Sequence, residues 1–200
     1  MTMRKKLLIT IACLSVILCT LVTGTIAWLT DKTPTIENKF TPSNIDVDLT
    51  ETKSDFKMVP GAAIEKDPKV TVDTDIPCYV FVKVEENLGA WSTFATDGKN
   101  FKSFLDYSII SDWTAVPGTT DVYYFEASGD TDKSVLVDDK VTVSGDNVTK
   151  KMMDTLYSNG TVISNLPTLK FTAYACQKEG FNDAAAAWEE AKNAPASNGN

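Results

Sequence analysis

The chain has 200 residues, a formal net charge of −8 and no histidine. The missing imidazole excludes Ser-His-Asp and Cys-His nucleophilic sites and the HExxH zinc motif. The acidic balance argues against nucleic acid as a partner. No cofactor motif is present, and zinc would have to be held by cysteine or carboxylate alone.

At the N-terminus, Arg4, Lys5 and Lys6 precede residues 7–22, which carry no charge. That is the basic region and apolar region of an export signal. Thr25 and Ala27 put small residues at the two positions a signal peptidase reads, so cleavage is expected between Ala27 and Trp28. Residues 1–27 are then a signal peptide, and removing it makes the remaining chain more acidic. Two other readings stay open. Residues 7–26 are long enough to span a bilayer as a retained anchor, in which case the membrane is met only through the uncleaved leader. Cys13 and Cys19 also lie in the leader, as a lipoprotein signal requires, although Cys13 leaves a short apolar region and Cys19 follows Leu18.

Beyond the leader, residues 28–43 form an N-terminal segment with Pro34 in its middle. From Asn44 the pattern alternates, with Ile45, Val47 and Leu49 opposed to Asp46, Asp48 and Thr50. This predicts a half-buried strand. Pro60-Gly61 marks a turn, and Val70 and Val72 mark a second strand. Residues 78–84 are apolar on both faces and are the expected central strand. Residues 87–104 predict a loop packed on the domain with a short helix. Residues 107–110 and 121–127 predict strands divided by Pro117-Gly118, and Val141 and Val143 mark another. Residues 150–157 predict a short helix ended at Asn159-Gly160. In residues 168–177, Leu169, Phe171, Ala173 and Ala175 share one face.

Asn182 or Asp183 caps a last helix, whose Ala184, Ala187, Trp188 and Ala191 make one apolar stripe. Residues 194–200 are a small polar tail. Short strands separated by turn signals, with little helix, predict a mainly β antiparallel sandwich over residues 44–193, closed by the terminal helix.

The junction Gly24-Thr25-Ile26-Ala27-Trp28-Leu29-Thr30-Asp31, followed by Asn38-Lys39-Phe40-Thr41 and Ile45-Asp46-Val47-Asp48-Leu49-Thr50-Glu51, resembles the class of proteins exported with a SipW-dependent signal peptide. That class includes the secreted TasA-like and camelysin-like proteins. The likeness extends to Pro60-Gly61, Lys66-Asp67-Pro68-Lys69-Val70, residues 79–84, Phe171-Thr172-Ala173-Tyr174-Ala175 and Ala187-Trp188. The resemblance implies a jelly roll, a SipW-type signal peptidase as processing partner, and a secreted, extracellular product of a Gram-positive bacterium. It further implies a biofilm-matrix fibre in which the mature N-terminus becomes a donor strand in the next subunit. Trp28, Leu29, Ile36 and Phe40 would be its apolar residues, and the partners would be further copies of the chain joined head to tail and other matrix proteins. A monomeric module binding a glycan or host protein is the alternative. A camelysin-like peptidase is a third reading, for which the absent histidines leave no recognisable site.

Three further groups invite chemistry. Export permits a disulfide between Cys78 and Cys176, which would close a loop of about 100 residues; two buried thiols acting as small apolar side chains are the other reading. Asp130-Thr131-Asp132 and Asp138-Asp139 offer oxygens for calcium, but turn chemistry explains them as well. Trp28, Trp91, Trp113 and Trp188 could line a glycan-binding face, whereas aromatics of a sandwich more often fill its core.

Overall fold

The computed structural model describes residues 43–53 and 56–193, together with Met3 and Lys5. The expected leader, its cleavage site at Ala27 and Trp28, the donor-strand residues Leu29, Ile36 and Phe40, and the tail 194–200 lie outside the described residues.

Strand β1 (Ile45–Thr50) alternates half-buried Ile45, Val47 and Leu49 with exposed polar residues. It pairs antiparallel with β3 (Lys69–Thr74), Ile45 opposite Thr74 and Thr50 opposite Lys69. Strand β2 (Ala63–Glu65) leads into β3, and β8 (Thr131–Ser134) leads into β9 (Lys140–Val143). β3 pairs with β8 and β2 with β9, both antiparallel. Two backbone bonds stitch the ladders together: Lys66 N–H donates to the Asp139 carbonyl at 2.8 Å, and Val135 N–H to the Pro68 carbonyl at 2.9 Å. Pro68 itself has no N–H to give, which breaks the strand there. On the facing strand the turn Val137–Asp139 absorbs the surplus chain. Its Asp138 and Asp139 sit at φ +54° and +48°, a region aspartate enters more readily than most residues. β5 (Leu105–Asp106) completes this layer beside β9. The two three-stranded sheets, β1-β3-β8 and β2-β9-β5, thus continue one another as one bent layer.

The second sheet runs β12 (Thr168–Gln177), β4 (Cys78–Asn87), β7 (Val122–Ala127), β6 (Thr114–Ala115). Successive strands cross between the layers, so the domain is an antiparallel β-sandwich of jelly-roll-like character. β4 lies in the interior of its sheet and is buried on both faces from Cys78 to Val82. One face supplies Cys78, Val80 and Val82, which meet Val70, Val72, Trp113, Phe125 and Val135 between the sheets. Further along, Val84 joins Trp91, Phe104, Leu136, Val141, Val143 and Met152 in a second apolar cluster. The other face of β4, Tyr79 and Phe81, is covered by helix α3 (Ala184–Ala191). The Trp188 ring sits 5.5 Å from Phe81 and 5.1 Å from Tyr174, and Asp183 caps the helix by accepting the Ala186 N–H at 2.8 Å.

Two short helices, α1 (Phe101–Phe104) and α2 (Lys150–Asp154), are capped by Asn100 and Thr149. The hairpin β10 (Tyr157–Ser158) to β11 (Thr161–Val162) turns at Asn159 and Gly160, at φ +51° and +78°. That is the left-handed pair a two-residue hairpin loop demands. No helix among the described residues is long and apolar enough to cross a membrane.

The strand expected over residues 107–110 does not form. The paired residues are Leu105 and Asp106, and beyond them only Ile109 makes an isolated bridge, to Leu136. Conversely, Thr131 and Asp132, expected in a turn, belong to β8, where Asp132 on one face and Lys133 on the other hide the alternation.

Candidate functional site

The two sheets meet along a rim formed by β1, β2 and β12. Each is the last strand of its ladder on that side among the described residues. β1 lies alongside β12 without a ladder joining them. Beyond the end of β1 the rim opens into a groove of about 600 Å³. One wall is Leu166, Leu169 and Phe171, leading into and along the first half of β12; the other is Ile64 of β2 with Phe56 and Met58. Phe101, Leu105 and Val141 reach it from the core. Its lining is therefore mainly apolar, and it is flanked by strand edges whose outer N–H and C=O groups find no ladder partner among the described residues.

A charged pair is set into this apolar wall. Lys66 Nζ lies 2.6 Å from Glu51 Oε1, and the ammonium also faces the Phe56 and Phe171 rings at 5.1 and 5.3 Å. Next to it, Thr52 donates its N–H at 3.0 Å to Asp67, and its hydroxyl to the same carboxylate. These bonds, the hydroxyl's foremost, hold the Asp67 carboxyl below the usual range. The pair fastens the chain leaving β1 to the chain leaving β2, and so fixes one lip of the groove. Sequence reasoning passed over it, because Lys66 in a run of charged residues looks like a solvated turn and only tertiary packing buries it.

Of the two readings of Cys78 and Cys176, the register of β4 and β12 favours separate thiols. Cys78 stands opposite Gln177 and Cys176 opposite Tyr79. Residues directly across a ladder share a face, and successive residues alternate. Cys78 therefore points between the sheets and Cys176 toward α3, on opposite faces of one sheet. Both thiols are free, and burial raises both above the usual thiol range.

The acidic candidates are dispersed over the surface. Asp132 pairs with Lys69 at 2.7 Å and Asp138 with Lys140 at 2.7 Å, while Asp130 accepts the Thr74 N–H at 3.2 Å. Among the described residues, no three carboxylate or thiol side chains converge as a metal site would need. Trp91, Trp113 and Trp188 are all core residues, exposed by 0%, 5% and 6%. Trp91 and Trp113 spend their indole N–H groups on the Met152 and Ser134 carbonyls. They make no glycan-binding face; Trp28 lies outside the described residues.

Fold and rim together define a mainly β, antiparallel sandwich with a short C-terminal helix and an apolar groove between two strand edges that are unpaired among the described residues. Compared with protein-family models, curated proteins and solved structures, the chain matches none of them.

Proposed function

We propose that the protein is a secreted, non-enzymatic structural subunit that assembles head to tail into extracellular, biofilm-matrix fibres. In this reading the N-terminal segment 28–40 of one copy lies in the groove between β2 and β12 of the next. The observation that carries it is the groove itself, apolar inside and bordered by two strand edges that are unpaired among the described residues. Such a site suits an added strand, whose main-chain bonds supply affinity and whose alternate side chains supply register.

The segment has matching chemistry. In an extended chain Trp28, Pro34, Ile36 and Phe40 fall on one face, with Leu29 on the other. Thirteen residues extend over about 43 Å, whereas the five β12 residues lining the groove cover about 17 Å, so the segment can fill it and still reach back to its own domain. Because donor and acceptor surfaces differ, the contact is heterologous and propagates as a filament where the rotation does not close. The resemblance to the SipW-dependent, TasA-like class points the same way, with cleavage at Ala27–Trp28 releasing the donor.

The test is a synthetic peptide of residues 28–40 added to protein that lacks them. The reading expects saturable binding with NMR shifts at Ile64, Leu169 and Phe171. Binding elsewhere, or none, contradicts it.

A further inference from the structure

A second cavity, of about 520 Å³, opens at the end of the sandwich where β4 leaves the core. There the apolar run of β4 ends at buried Val84 and gives way to exposed Glu85 and Glu86. Val84 N–H donates to the Asp121 carbonyl at 2.8 Å, which draws the Thr120-Asp121 turn to one wall. Asn100 and Lys102, from the start of α1, form the opposite wall together with Tyr107, and the Tyr123 ring of β7 completes the lining. The size is that of a small-molecule site, but the walls are polar.

What these groups could hold follows from which are already engaged. Glu85 is held by Lys83 at 3.1 Å. Glu86 accepts the buried Tyr107 hydroxyl at 2.6 Å, which leaves its second oxygen to the cavity. Lys102 Nζ lies 4.3 Å from the centre of the Tyr107 ring. Asn100 uses its oxygen to cap α1 through Ser103 N–H at 3.2 Å, so its amide N–H groups remain to donate. The Asp121 carboxylate and the Thr120 hydroxyl have no hydrogen-bond partner among the described residues.

An anion would meet three carboxylates here. A simple cation would compete with lysines that already serve the acids and the tyrosine ring. The unspent capacity is paired acceptors and donors beside a half-buried aromatic ring. A sugar hydroxyl donates one hydrogen bond while accepting others, and so uses both kinds at once. The apolar C–H face of a pyranose can lie on the Tyr123 ring.

We propose that this cavity binds a neutral saccharide, with Asp121 and Glu86 accepting from its hydroxyls and Asn100 donating to them. The site is built from different polar groups than the groove and does not depend on fibre assembly.

The experiment titrates the purified full chain with cellotriose, chitotriose, maltotriose and mannotriose, followed by NMR shifts of Asn100, Thr120 and Asp121. Spermidine and inorganic phosphate serve as cationic and anionic probes. The proposal expects at least one trisaccharide to shift these residues saturably. Asp121→Asn should weaken that binding by about tenfold, the order expected for one hydrogen bond to a charged acceptor. Because the Asp121 side chain makes no hydrogen bond among the described residues and meets Lys83 only through its charge, thermal unfolding of the variant should stay close to that of the parent. Three results would each overturn the proposal: no response to any trisaccharide, a response unchanged by Asp121→Asn, or saturation by spermidine or phosphate alone.

Discussion

The Lys66 ammonium and the Glu51 carboxylate meet at 2.6 Å within an apolar wall, with side-chain exposures of only 10% and 21%. Removing one partner of so enclosed a pair strands the other charge, whereas replacing both removes the desolvation cost as well. Glu51→Gln should therefore destabilise the domain by about 3 kcal/mol, and the double change Glu51→Gln with Lys66→Met should recover most of that loss. Urea unfolding midpoints at neutral pH measure both. A double variant no more stable than the single one would show that the pair is not coupled.

Asp73 stands opposite Asp46 across the β1–β3 ladder, with Asp130 and Asp75 close by. Chiefly through repulsion from Asp130, its carboxyl is held above the usual range. A carboxyl whose folded pKa is raised binds its proton more tightly folded than unfolded, so it costs stability as pH rises above 3.8, the ordinary value. Asp73→Asn should raise the melting temperature at pH 7 and leave it nearly unchanged at pH 3. The gain should shrink in high salt, because these groups are exposed. A gain independent of pH would mean that repulsion is not its cause.

Asp67 and Asp132 behave oppositely. The Thr52 hydroxyl foremost lowers the one, and the Lys69 ammonium the other. Their stabilising contribution is present above the ordinary carboxylate range and is lost as pH falls through and below it. Replacing Thr52 by Val should make unfolding less steeply dependent on acid below pH 4, read from melting temperatures across that range.

Free thiols on opposite faces of one sheet make a simple chemical prediction. The native protein should form no Cys78–Cys176 bond under mild oxidation. Cys78, fully buried between the sheets, should react with a thiol reagent only as the domain unfolds, and Cys176 sooner. A mass spectrum showing the intramolecular disulfide in folded protein would contradict the register.

What the sequence discloses and what it hides follow from where side chains face. β4 was legible because a strand covered on both faces is apolar at every position from Cys78 to Val82, and β12 because Leu169, Phe171, Ala173 and Ala175 alternate along one face. The α3 stripe was legible because Asp183 announces it and alanines keep a single buried face. β8 was hidden because Asp132 faces outward while Lys133, on the inner face opposite Val70, lies over the Phe125 ring, so a charge stands where the alternation calls for an apolar side chain. The groove was hidden for another reason: it belongs to no single segment. Leu169, Ile64 and Phe56 look like ordinary core residues until pairing places them at the open rim. The Lys66–Glu51 pair is likewise a product of packing between chain ends that leave β1 and β2.

Negative-stain electron microscopy of the chain starting at Trp28, beside the same chain lacking residues 28–38, decides whether the N-terminal segment joins subunits. The first protein should form filaments and the second folded monomers. The shortened subunits, having a groove but no donor, should also cap and shorten filaments when mixed in. Shortened protein that polymerises as readily as the longer form would show that the segment is a spacer and that the groove receives no neighbour.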